Sequence, residues 1–183
     1  MKIYLDTGVF VDYLSYRGHA GYFLRKRGRR NRTVEQLQLD ASECLDKIGR
    51  SHIGFTSSLS LYEVEEALFS KLMKSSKGIK DREKYVISSS RSVVVQMLTI
   101  KEHYRLQILD LSENIFEKEA QEIDLQKRGI RSADSLHMAT AILNDADIVI
   151  TTDRHLLQLD GVFQNNNGKH IRCLDTNAAK NLL

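Results

Sequence analysis

The sequence predicts an α/β protein in which a parallel sheet is flanked by helices. Short apolar segments alternate with longer segments of helical periodicity along the 183 residues, and this order is typical of parallel strands joined by crossover helices. The segment DIVITT at 147–152 is a nearly continuous β-branched run, as in a strand buried on both faces. No linker or break in composition divides the chain, so we expect a single domain over residues 1–183.

Five strands are predicted in chain order, each of them short and apolar. They cover residues 3–5, 52–55, 107–111, 147–151 and 171–174. Between the strands, apolar side chains recur with the 3.6-residue period of a helix. The predicted apolar faces comprise Leu61, Val64, Leu68 and Leu72 in one segment, Ile115, Ala120 and Ile123 in the next, and Leu136, Ala139 and Leu143 in a third.

Composition narrows the class of protein further. The hydrophobic fraction of 42% and the charged fraction of 28% are ordinary for a globular domain. No apolar run approaches the ~20 residues needed to cross a bilayer, and the N-terminal MKIYLDT lacks the apolar stretch of a secretory signal. We therefore expect a cytoplasmic protein with no membrane segment.

Cys44 and Cys173 have neither the spacing of a disulfide framework nor that of a metal site, and both are interpreted as ordinary thiols.

One segment is strongly basic, because residues 25–32 contain six cations in eight positions. Such a run can lie along a phosphate backbone and release its counterions. It can equally be a solvated loop whose charges repel one another. Both interpretations remain open. In the helix that precedes it, Asp12 is predicted to face water.

Four carboxylates are expected to meet at one edge of the sheet. Asp6 follows the first strand and Asp153 follows the fourth, while Glu63 lies early in the helix after the second strand. Asp134 opens a helix that Ser132 would cap. Because ligands bind beyond the carboxyl ends of parallel strands, the four acids are predicted to converge there.

Each acid also has a purely structural interpretation. Asp6, Asp134 and Asp153 suit helix N-termini, where a negative charge is favoured by ~0.3–1 kcal/mol. Ser60 and Glu63 fit a capping box. These explanations account for each residue singly but do not predict a shared location.

Convergence of carboxylates requires a counter-charge. Two carboxylates ~5 Å apart repel by roughly 3 kcal/mol at an effective dielectric of ~20, so that either their pKa values rise or a cation binds. A site made of oxygen ligands favours Mg²⁺ or Mn²⁺, and such ions activate water for attack on a phosphodiester. The hydroxyls of Thr7 and Thr151 are placed to orient those waters.

At these residues the chain resembles the PIN-domain nucleases, in particular the VapC-type toxins. The resemblance is carried in family order by four stretches: IYLDTGVFVDYL, SSLSLYEVEEAL, GIRSADSLHMATAIL and DIVITTDRHLL. They cover nearly the whole chain. The resemblance implies a PIN-like three-layer sandwich and an endoribonuclease that depends on Mg²⁺ or Mn²⁺ and leaves a 5′-phosphate and a 3′-hydroxyl.

Position by position, the resemblance assigns roles to individual residues. The positions that match the family's catalytic and metal-binding quartet are Asp6, Glu63, Asp134 and Asp153. Thr7 and Thr151 match the hydroxyls beside it. Asp6 and Asp134 are expected to hold the metal directly, Glu63 to bind it or to orient it through water, and Asp153 to complete the site.

Two departures from the family pattern are visible. Gly8 stands where the family more usually has Ser or Asn, and an insertion is expected around residues 16–50. Near the quartet, Arg131 and Arg154 are candidates to hold RNA phosphates or simply to balance charge. His137 is interpreted as a packing or surface residue in preference to a residue that contacts substrate.

Other functions and partners remain in view. The main alternative is a catalytically inactive PIN-like module that binds nucleic acid or protein, and a second is a small-molecule phosphatase. An aspartic protease, which also presents Asp-Thr-Gly, is excluded by the helical pattern. The expected partners are RNA, an antitoxin-like protein and a second copy of the chain. The two protein partners are expected because the apolar face of Val9, Phe10, Tyr13 and Leu14 is larger than packing against a single core requires.

Overall fold

The computed structural model of the protein describes residues 1–16 and 18–183. Within them, a five-stranded sheet carries helices on both faces, which confirms the predicted α/β class and three-layer sandwich. Residue 17, which belongs to the expected insertion, lies outside the described residues.

The sheet is parallel throughout, with the strand order β3-β2-β1-β4-β5. All five predicted strands are present, and their ends differ only slightly from the prediction. The strands are β1 Lys2–Leu5, β2 Ile53–Ser57, β3 Gln107–Leu109, β4 Ile148–Ile150 and β5 Arg172–Leu174.

Helices fill each connection between successive strands. In chain order they are α1 Thr7–Leu14, α2 Gly18–Leu24, α3 Val34–Ser51, α4 Ser58–Ser75, α5 Arg82–His103, α6 Glu113–Gln121, α7 Ile123–Lys127, α8 Ser132–Leu143, α9 Arg154–Leu157 and α10 Thr176–Leu182. Over the described residues, none of these helices combines the length and the apolar character that crossing a membrane demands.

The core is divided between the two faces of the sheet, because successive strand side chains point to opposite sides. Ile3, Leu5 and Ile150 pack with α1, α3, α4 and α5 on one face. Tyr4 and Val149 pack on the other face, where α7, α8, α9 and the segment that follows α9 supply the covering side chains. Both faces are therefore buried, as the apolar strands predict.

The order of the strands reverses direction at β1. The chain moves outward from β1 to β2 and β3, and it then returns to place β4 and β5 on the opposite side of β1. Such a reversal opens a crevice at the carboxyl ends of the two strands that flank it. The first residue after β1, Asp6, lies at this switch point.

The predicted exposure of Asp12 is wrong. The Asp12 side chain is fully buried, with its Oδ1 atom 2.8 Å from Nε of Arg25 and its Oδ2 atom paired with Arg29. The basic segment folds back over α1, and this long-range packing is invisible in the periodicity of one helix.

Internal ion pairs also neutralise most of the basic segment. Besides Arg25 and Arg29, Arg30 lies 3.0 Å from Asp175, and Arg32 donates to the buried Asp40 at 2.7 Å. Neither interpretation of the run, as a phosphate-binding surface or as a solvated loop, describes these four arginines.

One predicted helical face is wrong as well. Ile115 is buried, but Ala120 is exposed and Ile123 is 59% exposed. Ala120 follows Ile115 by five residues in α6, which places the two side chains about 140° apart around the helix axis. Ile123 belongs to a separate helix, because α6 ends at Gln121.

Candidate functional site

The candidate site lies beyond the carboxyl ends of β1 and β4. The backbone N–H of Asp6 donates to the carbonyl of Ile150 at 3.0 Å, which continues the pairing of the two strands to their last residues. At this end of the sheet the side chain of Asp6 meets the hydroxyl of Thr151, the residue that follows Ile150.

The carboxylate of Asp6 is fixed on both of its oxygens. Asp6 is the N-cap of α1, and its Oδ1 atom accepts from the backbone N–H of Thr7 at 2.7 Å. Its Oδ2 atom accepts from the hydroxyl of Thr151 at 2.6 Å. Asp6 is only 5% exposed, so the structure holds a charged group in one orientation at the switch point.

Glu63 is not part of a capping box. The helix α4 begins at Ser58 with Ser57 as its N-cap, which puts Glu63 in the second turn. Its Oε2 atom accepts from the Thr7 hydroxyl and lies 2.9 Å from Nε2 of His137. Although burial acts to raise the pKa of Glu63, the hydrogen bonds to His137 and Thr7 outweigh it and lower the pKa.

His137 belongs to this site, contrary to its interpretation as a packing or surface residue. It is 1% exposed, and its Nε2 atom lies 3.5 Å from Oδ1 of Asp6 in addition to its contact with Glu63. Burial acts to lower the pKa of His137, but the hydrogen bond to Glu63 and the surrounding carboxylates raise it. The available sequence signal was its position three residues after Asp134, on the same face of α8.

Asp134 shares the electrostatic environment of the other acids. It lies in the first turn of α8, whose N-cap is Arg131 and not Ser132. Burial raises the pKa of Asp134 to about 6, and the charges of Asp153 and Asp6 add to the increase. The charges of the neighbouring acids therefore act on Asp134.

Asp153 is the N-cap of the short helix α9. Its Oδ1 atom accepts from the backbone N–H of His155 at 2.7 Å and of Leu156 at 3.3 Å. Its own N–H donates to the Thr151 hydroxyl at 3.0 Å. These contacts make Asp153 a helix cap, and its charge also helps to raise the pKa of Asp134.

The two candidate phosphate-binding arginines flank these acids along the chain. Arg131 caps α8 three residues before Asp134, and Arg154 directly follows Asp153. Both are exposed, and neither forms an ion pair within the part of the chain that the structure describes. Their guanidinium groups are consequently available to an anion.

The donor set fits a divalent cation. One ligand atom each from Asp6, Glu63 and His137 can be chosen so that all three lie within 4.8 Å of one another. Burial raises the pKa of Asp134 and the charges of Asp153 and Asp6 add to the increase, and a bound cation would act against both effects. Carboxylate oxygens are the ligands preferred by Mg²⁺ and Mn²⁺, and the latter also accepts imidazole.

The fold and this site define an α/β protein with a buried acid, Asp6, and partly buried neighbouring acids at the switch point of a parallel sheet. A family model described as the PIN domain matches residues 3–162, and the chain belongs to that family. A structure of similar fold is VapBC2 from Rickettsia felis bound to a DNA fragment from their promoter, with a TM-score of 0.52 and 16% sequence identity. That comparison covers 94% of this chain and 98% of the other. No curated protein matches the sequence.

Proposed function

We propose that this PIN-domain protein is a metal-dependent endoribonuclease that hydrolyses RNA phosphodiester bonds. The observation that carries the proposal is the cluster of Asp6, Glu63 and His137 at the switch point. Asp134 supports it, because burial and the charges of Asp153 and Asp6 raise its pKa to about 6. Membership in the PIN domain family supports nuclease chemistry. The cluster supports a hard divalent cation as its counter-charge.

Asp6 and Asp134 would hold Mg²⁺ or Mn²⁺ directly, with Glu63 and Asp153 completing the site. When bound, the ion activates water and stabilises charge on the phosphoryl oxygens. Thr151 keeps one oxygen of Asp6 occupied, so that this carboxylate presents a fixed face to the cation. Thr7 does the same for Glu63.

RNA would approach across the edge that carries Arg131 and Arg154. Both guanidinium groups are exposed beside the acids, and each can hold a phosphate through paired N–H donors. Their charge offsets the negative potential that the acidic cluster presents to the RNA backbone. We assign them to substrate binding and not to the reaction itself.

We further propose that the protein is the toxin of a toxin–antitoxin pair, that it is a homodimer, and that residues 1–183 form one domain with an insertion around 16–50. The homodimer would use a surface other than the apolar face of α1, because Val9, Phe10, Tyr13 and Leu14 are buried in the core of the chain. The resemblance to VapC-type toxins and the likeness of fold to VapBC2 support an antitoxin-like partner. Copurification of the chain with a protein encoded beside it, together with the mass of the isolated chain in solution, tests the first two parts.

The central experiment is incubation of the purified protein with a mixed RNA pool in EDTA, Mg²⁺ or Mn²⁺, followed by mapping of the cut ends. Cleavage is expected only with a metal, and it should leave 5′-phosphates. Asp6→Asn and Asp134→Asn should each abolish it. Asp124→Asn is the matched control, because Asp124 is a 66% exposed carboxylate whose only ion pair among the described residues is with Lys127 on the same helix. Cleavage at full rate by Asp6→Asn would refute the proposal.

Two residues, Asp153 and Gly8, favour the alternative of a binding module that does not cleave RNA. The carboxylate of Asp153 already accepts two backbone hydrogen bonds, and Gly8 supplies no side-chain ligand. RNA affinity that is unchanged by EDTA, with no cut ends in either metal, would favour this alternative over the nuclease.

A further inference from the structure

A buried chain of hydrogen-bonding groups lies behind Glu63. Nδ1 of His137 is 2.5 Å from the hydroxyl of Tyr4, and Nε2 of the same ring is 2.9 Å from Oε2 of Glu63. The Tyr4 hydroxyl also lies 3.1 Å from Oγ of Ser57. Tyr4 and His137 are almost completely inaccessible to solvent, so water does not compete for these contacts.

The chemistry of the neighbours decides where the hydrogens are. A tyrosine hydroxyl ordinarily carries its hydrogen at neutral pH, so the Tyr4 oxygen can either donate or accept. If that hydrogen goes to Nδ1, the neutral imidazole carries its own hydrogen on Nε2 and donates it to Glu63. If Tyr4 instead donates to Ser57, then Nδ1 donates to Tyr4, and the imidazole is the cation with a second hydrogen on Nε2.

In both arrangements Nε2 carries a hydrogen that faces Glu63. The remaining arrangement would set the lone pair of Nε2 against the carboxylate at 2.9 Å, and two acceptors at that distance repel. Nε2 is therefore a hydrogen-bond donor to Glu63, and the buried contact between Nδ1 and Tyr4 fixes the ring that donates.

We propose that His137 is a positioning residue that holds Glu63 for the metal, and that Tyr4 in turn holds the imidazole. The inference rests on the proposed function. It adds two residues from the core side of the site, where α8 packs on the sheet, to the acids that the sequence resemblance assigns. His137 acts through Glu63 and not through the metal.

The first test measures Mn²⁺ affinity by calorimetry, without RNA. His137→Leu removes the donor to Glu63 at similar volume, and its affinity is expected to fall by about 10–100-fold. His137→Gln places an amide N–H near the position of Nε2 and is expected to stay within a few-fold of wild type. Tyr4→Phe leaves the ring in place and is expected to weaken binding less than His137→Leu.

The second test is spectroscopic. The electron spin-echo envelope of bound Mn²⁺ reports directly coordinated nitrogen, and the wild-type protein is expected to show none. A ¹⁴N coupling of a ligated imidazole that disappears in His137→Leu would make His137 a ligand and overturn the inference. His103→Leu is the control for adventitious binding, because His103 is an exposed residue of α5 outside the site.

The outcomes separate the two proposals. Equal Mn²⁺ affinity in wild type and His137→Leu would overturn the positioning role, whatever the RNA assay gives. Tight binding of Mn²⁺ by wild type with loss in His137→Leu and rescue in His137→Gln would support it even if no RNA is cut, and in that case the nuclease proposal alone fails. If His137→Leu does not fold, the pair His137→Gln and Tyr4→Phe decides, since loss of affinity in His137→Gln also overturns the role.

Discussion

The hydroxyl of Thr151 lies 2.6 Å from Oδ2 of Asp6 and links the two residues that directly follow β4 and β1. The same hydroxyl accepts from the backbone N–H of Asp153. One side chain therefore fixes two members of the acidic cluster, one through its carboxylate and the other through its backbone.

Replacing Thr151 by Val should lower RNA cleavage by about 10–100-fold, because the orientation of Asp6 is lost while the shape of the core is kept. Unfolding free energy should fall by about 1–3 kcal/mol, since a buried carboxylate loses a hydrogen bond. Thr151→Ser keeps the hydroxyl and should retain most activity. Steady-state cleavage kinetics and urea unfolding of both variants check this, and equal activity of Thr151→Val and wild type would contradict it.

Asp12 is the internal counter-charge of the basic segment, and Asp12→Asn should destabilise the protein by about 3–5 kcal/mol. Arg25 and Arg29 would be left without a buried partner charge, which costs more than the loss of a surface ion pair. Urea unfolding measures the change. Asp124→Asn, which breaks an exposed pair with Lys127, should alter stability by less than about 1 kcal/mol. Equal stability of the two variants would show that Asp12 is dispensable.

Asp134 gives the metal-free protein a specific pH dependence. Its pKa is about 6 in the folded state against an ordinary value of 3.8, so the folded protein keeps a proton that the unfolded chain releases. The contribution of Asp134 to the unfolding free energy should therefore be fully present below about pH 4. It should decline as the pH rises through 6.

The variant Asp134→Asn removes this proton linkage. In EDTA it should be more stable than wild type at pH 8, by about 1 kcal/mol after allowance for solvent screening of a partly exposed group. Near pH 4 the difference should vanish. Urea unfolding at pH 4, 6 and 8 measures it, and a variant less stable than wild type at pH 8 would argue against repulsion among the acids.

Gly8 is required because Thr152 occupies the space of a side chain. A Cβ atom at Gly8 would lie 1.9 Å from Oγ1 of Thr152 and 2.8 Å from its Cγ2. Helix propensity alone would make Gly8→Ser stabilising by roughly 0.5 kcal/mol. We expect the clash to dominate and Gly8→Ser to destabilise by about 1–3 kcal/mol.

A double-mutant cycle isolates this contact. Thr152→Ala removes two of the three clashing atoms, so Gly8→Ser should cost less in its presence, with a coupling free energy of at least about 0.5 kcal/mol. Thermal unfolding of the four proteins measures it. Additive effects of the two substitutions would mean that Thr152 is not the obstacle.

The sheet was largely predictable from the sequence because its strands are apolar on both faces and lie between helical segments. The β-branched run before Asp153 illustrates this, since both faces of β4 are buried. The break between α6 and α7 was not predictable, because a 3.6-residue pattern continues through Gln121 and Ile123 although the backbone does not. Local periodicity cannot detect such a turn.

For the site, the sequence predicted which elements would bring acids to one edge but not what those acids contact. Glu63 matched a capping box as well as a ligand, and the distinction depends on contacts with Thr7 and His137 that lie more than 50 residues away. His137 and Asp12 were misjudged for the same reason. Their burial depends on groups from distant segments, and neither is visible from one helix.

The arginines of the segment 25–32 have a consequence for how mutational scans of this chain should be interpreted. Arg29 donates to the carbonyl of Thr152 while its guanidinium pairs with Asp12, so it ties the loop before Asp153 to the first helix. A charge-reversal scan for RNA contacts would find loss of cleavage at Arg25 and Arg29. The loss of cleavage in those variants would result from destabilisation of the fold and not from the loss of a direct contact with RNA.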